Sequence, residues 1–265
     1  MIGAIIGDIA GSRFEFDNYR KKDFELFTPD CFPTDDSIMT VAVGKAILEC
    51  GGDYSRLSQR AVECMQELGR PYPDCGFGGS FYNWIYTDDP QPYNSYGNGA
   101  AMRVSDAGFA AGSLEEAKEL AYKVTAVSHN HPEGIKGAES IAVAIYLAKS
   151  GSSKDEIAAY IGGNYYKTDF TLDEIRPTYE FNETCQNTVP QAFAAFFEAD
   201  GFEDTIRNAI SVGGDSDTLA AIAGSIAEAY YGVPRDLCER AESYLNTNRY
   251  RAIYKWLKKF EGKFQ

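Results

Sequence analysis

Ser211-Val-Gly-Gly-Asp-Ser-Asp-Thr-Leu219, running on into an apolar segment that ends at Tyr231, is the stretch that decides the fold. Leu219, Ile222, Ala223, Ile226, Ala227 and Tyr230 recur at the i, i+3, i+4 spacing of one helical face, and Gly232 supplies the stop signal. The segment therefore reads as a helix with Asp215 and Asp217 at its start. Helix N-termini favour carboxylates through their free N–H groups and the macrodipole, so two capping aspartates would account for the pair. But Asp215, Asp217 and Thr218 crowd two negative charges and a hydroxyl together, which is unfavourable without a counterion. Oxygen is the only ligand type they offer, and that points to a hard divalent cation.

Pro33-Thr34-Asp35-Asp36-Ser37 repeats the pattern in front of a second apolar-periodic segment, Ile38 to Leu48. Two helix starts of one make-up look like two halves of a single site. Asp35, Asp36, Asp215 and Asp217, with the hydroxyls of Thr34 and Thr218, supply enough oxygen for two octahedral ions a few ångströms apart.

The 265 residues carry a net charge of −14, and no linker or shift in composition divides them, so one domain over residues 1–265 is expected. That charge argues against nucleic acid held in a basic groove and against an anionic membrane surface. An anionic ligand would have to be held by cations and backbone amides instead. The six cysteines are scattered without a C-x-x-C pair, as free thiols of a reducing compartment are, and form no disulfide framework or zinc site. The opening run Met1 to Gly7 is apolar, but Asp8 interrupts it and no basic segment precedes it. Neither a signal peptide nor a membrane span is expected, and the protein reads as a cytoplasmic monomer.

Ile2 to Ala10 reads as a buried helix in which Gly3, Gly7 and Gly11, four residues apart, let another helix approach closely. Asp8 then becomes a buried carboxylate in need of a partner. Glu15, just past this segment, is either a solvated acid or a further acid aimed at the same centre. Arg70 to Ser80 and Tyr93 to Arg103 are glycine-rich loops. Gly76, Gly78 and Gly79 in the first, and Gly97, Asn98 and Gly99 in the second, allow backbone N–H groups to converge as they do around phosphate oxygens. The second loop also opens a helix, itself an anion-binding feature. Phe77 and Tyr96 border these loops, where they could stack on a base or simply pack.

His129 and His131 lack a third nitrogen or thiolate ligand nearby, so zinc is disfavoured. One of them could move a proton or orient a ligand, and a hydrogen bond at the helix junction is the alternative. Glu133 to Lys149 is the most apolar helix and reads as central. Ser113/Glu116, Ser153/Glu156 and Thr171/Glu174 read as capping boxes, and Pro190 reads as a first-turn proline. No stretch alternates as a strand does, and roughly ten helical segments joined by glycine-rich loops make an all-α domain.

Six motifs in order resemble the ADP-ribosylglycohydrolase family, relatives of the dinitrogenase-reductase-activating glycohydrolase, over nearly the whole chain. They are Gly7-Asp8-Ile-Ala-Gly11-Ser12 with Glu15, Thr34-Asp35-Asp36, Pro73-Asp74-Cys-Gly76-Phe-Gly78, Gly97-Asn98-Gly99-Ala-Ala-Met102-Arg103, His129-Asn-His131-Pro132 and Gly214-Asp215-Ser-Asp217-Thr218. Many relatives have Thr where Ser216 stands, a position that need not ligate. The resemblance implies an all-α fold with a two-magnesium or two-manganese centre that cleaves the bond joining ADP-ribose to a protein or small acceptor. It implies that Thr34, Asp35 and Asp36 form one ligand set, and Asp215, Asp217 and Thr218 the other. By the same resemblance Glu15, Asp74 and Asp36 are candidates for catalysis. Gly76 to Gly79, Tyr96 to Gly99 and His131 are candidates for binding ADP-ribose. Two other classes remain open: a module that binds ADP-ribose without cleaving it, and a magnesium-dependent all-α diphosphate enzyme. The latter spaces its carboxylates one helical turn apart, whereas Asp35 and Asp36 are followed by Met39 and Thr40.

Overall fold

Apolar periodicity and glycine punctuation resolve into fifteen α-helices in the computed structural model, which describes residues 1–264. The first five are α1 (Ile2–Gly11), α2 (Asp35–Cys50), α3 (Leu57–Gly69), α4 (Gly79–Tyr86) and α5 (Gly99–Met102). Then come α6 (Ser105–Ala110), α7 (Leu114–Thr125), α8 (Pro132–Lys149), α9 (Lys154–Asn164) and α10 (Leu172–Ile175). The chain closes with α11 (Cys185–Phe197), α12 (Phe202–Ile210), α13 (Ser216–Tyr231), α14 (Arg235–Leu245) and α15 (Arg251–Phe264). Among the described residues the only β feature is an isolated antiparallel bridge between Gly97 and Thr184. No helix among the described residues is long and apolar enough to cross a membrane.

The expected α1 glycines do what their spacing suggests. All of α1 is buried, as are Ser216 to Glu228 of α13, and the two helices run antiparallel, with Gly3, Gly7 and Gly11 against Gly224, Ala220 and Asp217. A Cβ on Gly7 would lie 2.1 Å from the Ala220 carbonyl oxygen, so only glycine admits this contact. Fully buried Ile5, Ile6 and Ile9 fill the flanks, each contributing roughly 1.5–3 kcal/mol. At one end of this seam the Glu228 carboxylate accepts from the Gly3 N–H at 2.7 Å and the Met1 amino group at 2.8 Å. α13 also packs against α8, α11 and α12.

Four local readings shift. α13, with its alanines and glycine, takes the innermost place, while α8 keeps Glu133, Lys136 and Glu139 half-exposed. α4 starts at Gly79, so the first glycine-rich loop is shorter than its composition suggests. α11 starts at Cys185, whose N–H bonds the Tyr96 carbonyl at 2.9 Å, and Pro190 therefore lies inside the helix. Ser153/Glu156 and Thr171/Glu174 are reciprocal capping boxes. Ser113 is only half of one, because the Glu116 carboxylate takes the Gly112 N–H instead.

Candidate functional site

The α1–α13 seam ends at the acidic cluster. Gly213 and Gly214, at φ +79° and +71°, turn the chain from α12 into α13 through a left-handed pair that side chains disfavour. Across from them, Thr34 caps α2: its hydroxyl accepts from the Asp36 N–H at 3.2 Å and donates to Asp8 Oδ1 at 2.7 Å. Asp8 Oδ2 accepts from the N–H groups of Thr34 and Ser37, both at 3.0 Å, and closely from the Ser37 hydroxyl. Asp8 thus has the partners its burial demands, and it fixes the start of α2 from α1.

The two helix starts then meet. The Thr218 hydroxyl donates to Asp36 Oδ2 at 3.3 Å, while Asp36 Oδ1 is buried with no protein partner. Carboxylate oxygens of Glu15, Asp215 and Asp217 lie within 4.8 Å of one another. The Asn98 side chain donates to Asp215 Oδ2 at 2.6 Å, tying the second glycine loop to the cluster. Burial, then neighbouring carboxylates, hold Asp35, Asp36 and Asp217 well above the usual range. Burial, then Asp215, Asp8 and Glu183, lift Glu15 to about 7. A buried, oxygen-only donor set with an unpartnered carboxylate oxygen fits hard divalent cations.

A cavity of about 500 Å³ opens onto this cluster. Glu15, Asp35, Asp36, Asp215, Asp217 and Thr218 line it on the acidic side. Gly76, Gly78 and Gly79 with the first turn of α4, and Tyr96, Gly97, Asn98 and Gly99, complete its lining, with Gly76 set directly against Asp35. First-turn N–H groups of α4 have no helical acceptor and can meet an anion. The amides of Gly97 and Asn98, by contrast, are already engaged by Ser95 Oγ and the Glu183 carbonyl.

Four of the sequence candidates lie off the cavity wall. Thr34 is buried behind it on Asp8. Phe77 packs edge-on against Phe81. Asp74 is exposed to solvent. His131 caps α8, its Nδ1 accepting the Glu133 N–H at 3.1 Å. His129, the other histidine, lines the cavity, and so do Arg103, Phe181 and Glu183. Arg103 stood in a quoted motif without a role; Phe181 and Glu183 lie in an aperiodic stretch that carries no local signal.

Fold and site together define a class: all-helical proteins whose paired helix N-termini gather carboxylates beside a ligand-sized cleft. The chain belongs to the ADP-ribosylglycohydrolase family, whose sequence pattern matches residues 1–262. It is 26% identical over 203 residues to ADP-ribosylhydrolase ARH3 of Homo sapiens, covering 58% of this chain and 56% of that protein. The match to ARH3 of Mus musculus is 23% over 329 positions, covering 94% and 88%. ADP-ribosylarginine hydrolase Tri1 of Pseudomonas putida is 25% identical over 268, covering 88% and 70%. The chain thus spans little over half the length of the first of these relatives. A solved structure titled "ADP-ribosylglycohydrolase-related protein complex" shares the fold at a TM-score of 0.66 and 22% identity, covering 98% of this chain and 96% of that one.

Proposed function

We propose that the protein hydrolyses the glycosidic bond between ADP-ribose and an acceptor, a protein side chain or a small molecule, with two magnesium ions, replaceable by manganese, at the acidic cluster. The observation that supports this most is the meeting of two helix starts at Asp36, whose buried Oδ1 has no protein partner, inside a cavity of about 500 Å³. Asp35 and Asp36 would hold the ions from α2, with Thr34 turned onto Asp8 behind them, and Asp215, Asp217 and Thr218 would hold them from α13. When bound, the cations would grip ribose hydroxyls and activate water.

The protein's own groups do the rest. Glu15, half-exposed in the same oxygen cluster, would hold or release a proton at its carboxylate, a role worth about 10²–10⁴-fold in rate. Glycoside cleavage passes through an oxocarbenium-like state, and Glu15, which is not one of the aspartates assigned to the ions, is a carboxylate left to face that charge. The first turn of α4 and the His129 edge would meet the diphosphate, while Tyr96, 45% exposed at the rim, suits stacking on the base. An acidic monomer with six free cysteines accords with work in the reducing cytoplasm.

The test is release of ADP-ribose from a panel of defined ADP-ribosylated peptides and small molecules, with and without EDTA. Turnover of at least one linkage, lost on chelation and restored by magnesium, is expected. Binding of ADP-ribose without release from any linkage would make the protein a binding module. Turnover indifferent to EDTA would remove the cations from the mechanism.

A further inference from the structure

Arg103 is the largest fully buried side chain among the described residues, and its surroundings are unusual for a cation. Its Nε and Nη1 have no protein partner, and Asp35 acts on it only from longer range. Its charge lies 4.9 Å from the centre of the Phe81 ring. Burial lowers its pKa to about 10, so the guanidinium stays charged at neutral pH. A buried cation without a carboxylate is costly, and one beside a cavity that gathers cations doubly so. Its remaining nitrogen, Nη2, is directed at one place: it donates to Ser128 Oγ at 2.7 Å and lies 3.3 Å from His129 Nδ1.

The direction of these bonds follows from donor chemistry. A guanidinium only donates, so Ser128 Oγ must accept from it. Ser128 Oγ also lies 2.8 Å from His129 Nδ1. A proton on Nδ1 would face the Nη2 hydrogens of a neighbouring cation. With Nδ1 bare, the Ser128 hydroxyl donates to it and every atom of the triad is matched, which leaves the single imidazole proton on Nε2. The ring is walled by Tyr93, edge-on at 5.7 Å, and by Phe81 at 6.0 Å, so it cannot turn freely. Nε2 faces the second glycine loop, 3.5 Å from where a Cβ on Gly97 or Gly99 would stand. Burial, then Arg103, hold the His129 pKa well below its usual value.

We propose that Arg103 is a positioning residue that acts through Ser128 to fix the His129 proton on Nε2, making His129 a preset donor to an anionic ligand oxygen at the 97–99 loop. Such a donor carries no charge and coexists with divalent cations in the same cavity, where an imidazolium would repel them. Only the identity of the anion, a phosphate of ADP-ribose, rests on the function proposed above; the tautomer does not.

Long-range ¹H–¹⁵N spectra of the full chain read the tautomer directly, because His129 and His131 are its only histidines. His131→Asn, which keeps a capping side chain at α8, assigns the two sets of signals. The wild type is expected to show a pyridine-like Nδ1 and a pyrrole-like Nε2 for His129. Arg103→Met and Ser128→Ala should each move population towards Nδ1–H and weaken ADP-ribose binding roughly ten- to a hundredfold, with Arg103→Lys recovering part of both. A pyrrole-like Nδ1 or a doubly protonated ring in the wild type overturns the proposal. So does an unchanged spectrum and affinity in Ser128→Ala together with Arg103→Met; if the latter does not fold, the wild-type spectrum and Ser128→Ala decide. A wild type with Nε2–H that binds no ADP-ribose would refute the ligand and leave the tautomer standing.

Discussion

Asp8 of α1 and Asp36 of α2 are both buried carboxylates beside the same helix start, and the protein treats them oppositely. Asp8 is surrounded by donors from Thr34 and Ser37. Asp36 receives one hydroxyl, from Thr218, and keeps an oxygen without any protein partner. The same contrast separates the ends of the α1–α13 seam, where Glu228 accepts from the Met1 amine and the Gly3 N–H, whereas Asp217 lies among other carboxylates. A buried acid answered by the protein's own donors holds the fold together. A buried acid left open towards a cavity waits for something to be supplied from outside.

The strongest test of that division is Asp36→Ala or Asp217→Ala, expected to cut turnover by more than ~100-fold, beyond the usual loss for residues one shell out from a metal. The chelated variants should melt no lower than the chelated wild type, because a repelling charge is gone; a large loss of stability would place these acids with Asp8. Glu15→Gln should lower kcat by ~10²–10⁴-fold with little change in ADP-ribose Kd, and a change in affinity alone would make Glu15 a binding group. Asp8→Ala should do the reverse of Asp36→Ala, costing about 3 kcal/mol in urea unfolding by stranding the donors of Thr34 and Ser37.

Chelation and pH sharpen the contrast further. With Glu15 lifted to about 7 and Asp35, Asp36 and Asp217 also raised, the metal-free fold binds protons that the unfolded chain has already released. That stability is present below the ordinary carboxylate range and is lost as pH rises towards 7. In EDTA the Tm should fall by roughly 3 °C or more between pH 5 and pH 8, and magnesium should restore it most at pH 8. A flat profile in EDTA would mean the cluster is screened by solvent. The smallest effect belongs to Asp74→Asn: the carboxylate is exposed and off the cavity wall, so kcat and ADP-ribose Kd should stay within about twofold of wild type, as for most surface substitutions.

Much of this was legible in the chain. Helical period, glycine spacing in α1 and the two acid-bearing helix starts are local patterns, and each reappears in the structure where the residues put it. What could not be read was set by contacts between distant segments. Which histidine faces the cavity depends on α8 taking His131 as its cap, and the place of Glu183 depends on its carbonyl accepting the Asn98 N–H at 2.8 Å. Glycine in the 76–79 and 97–99 loops could mean free amides or close packing, and only the partners of Gly97 and Asn98 tell them apart.

The antiparallel seam has a consequence in time. It joins Gly3 to Glu228 across 225 positions, and the two acidic helix starts meet through Thr218 and Asp36 across 182. During synthesis the α2 half of the site emerges first, and its counterpart follows only 182 positions later. Contacts of such separation are slow to close, because loop entropy must be overcome before any of them is rewarded. Until α13 arrives, Asp35 and Asp36 sit in a chain with half a ligand set, and α1, with an apolar surface and glycines shaped for one partner, has nothing to pack against. The nascent protein is therefore most in need of a chaperone while its N-terminal helix is finished and its thirteenth is not.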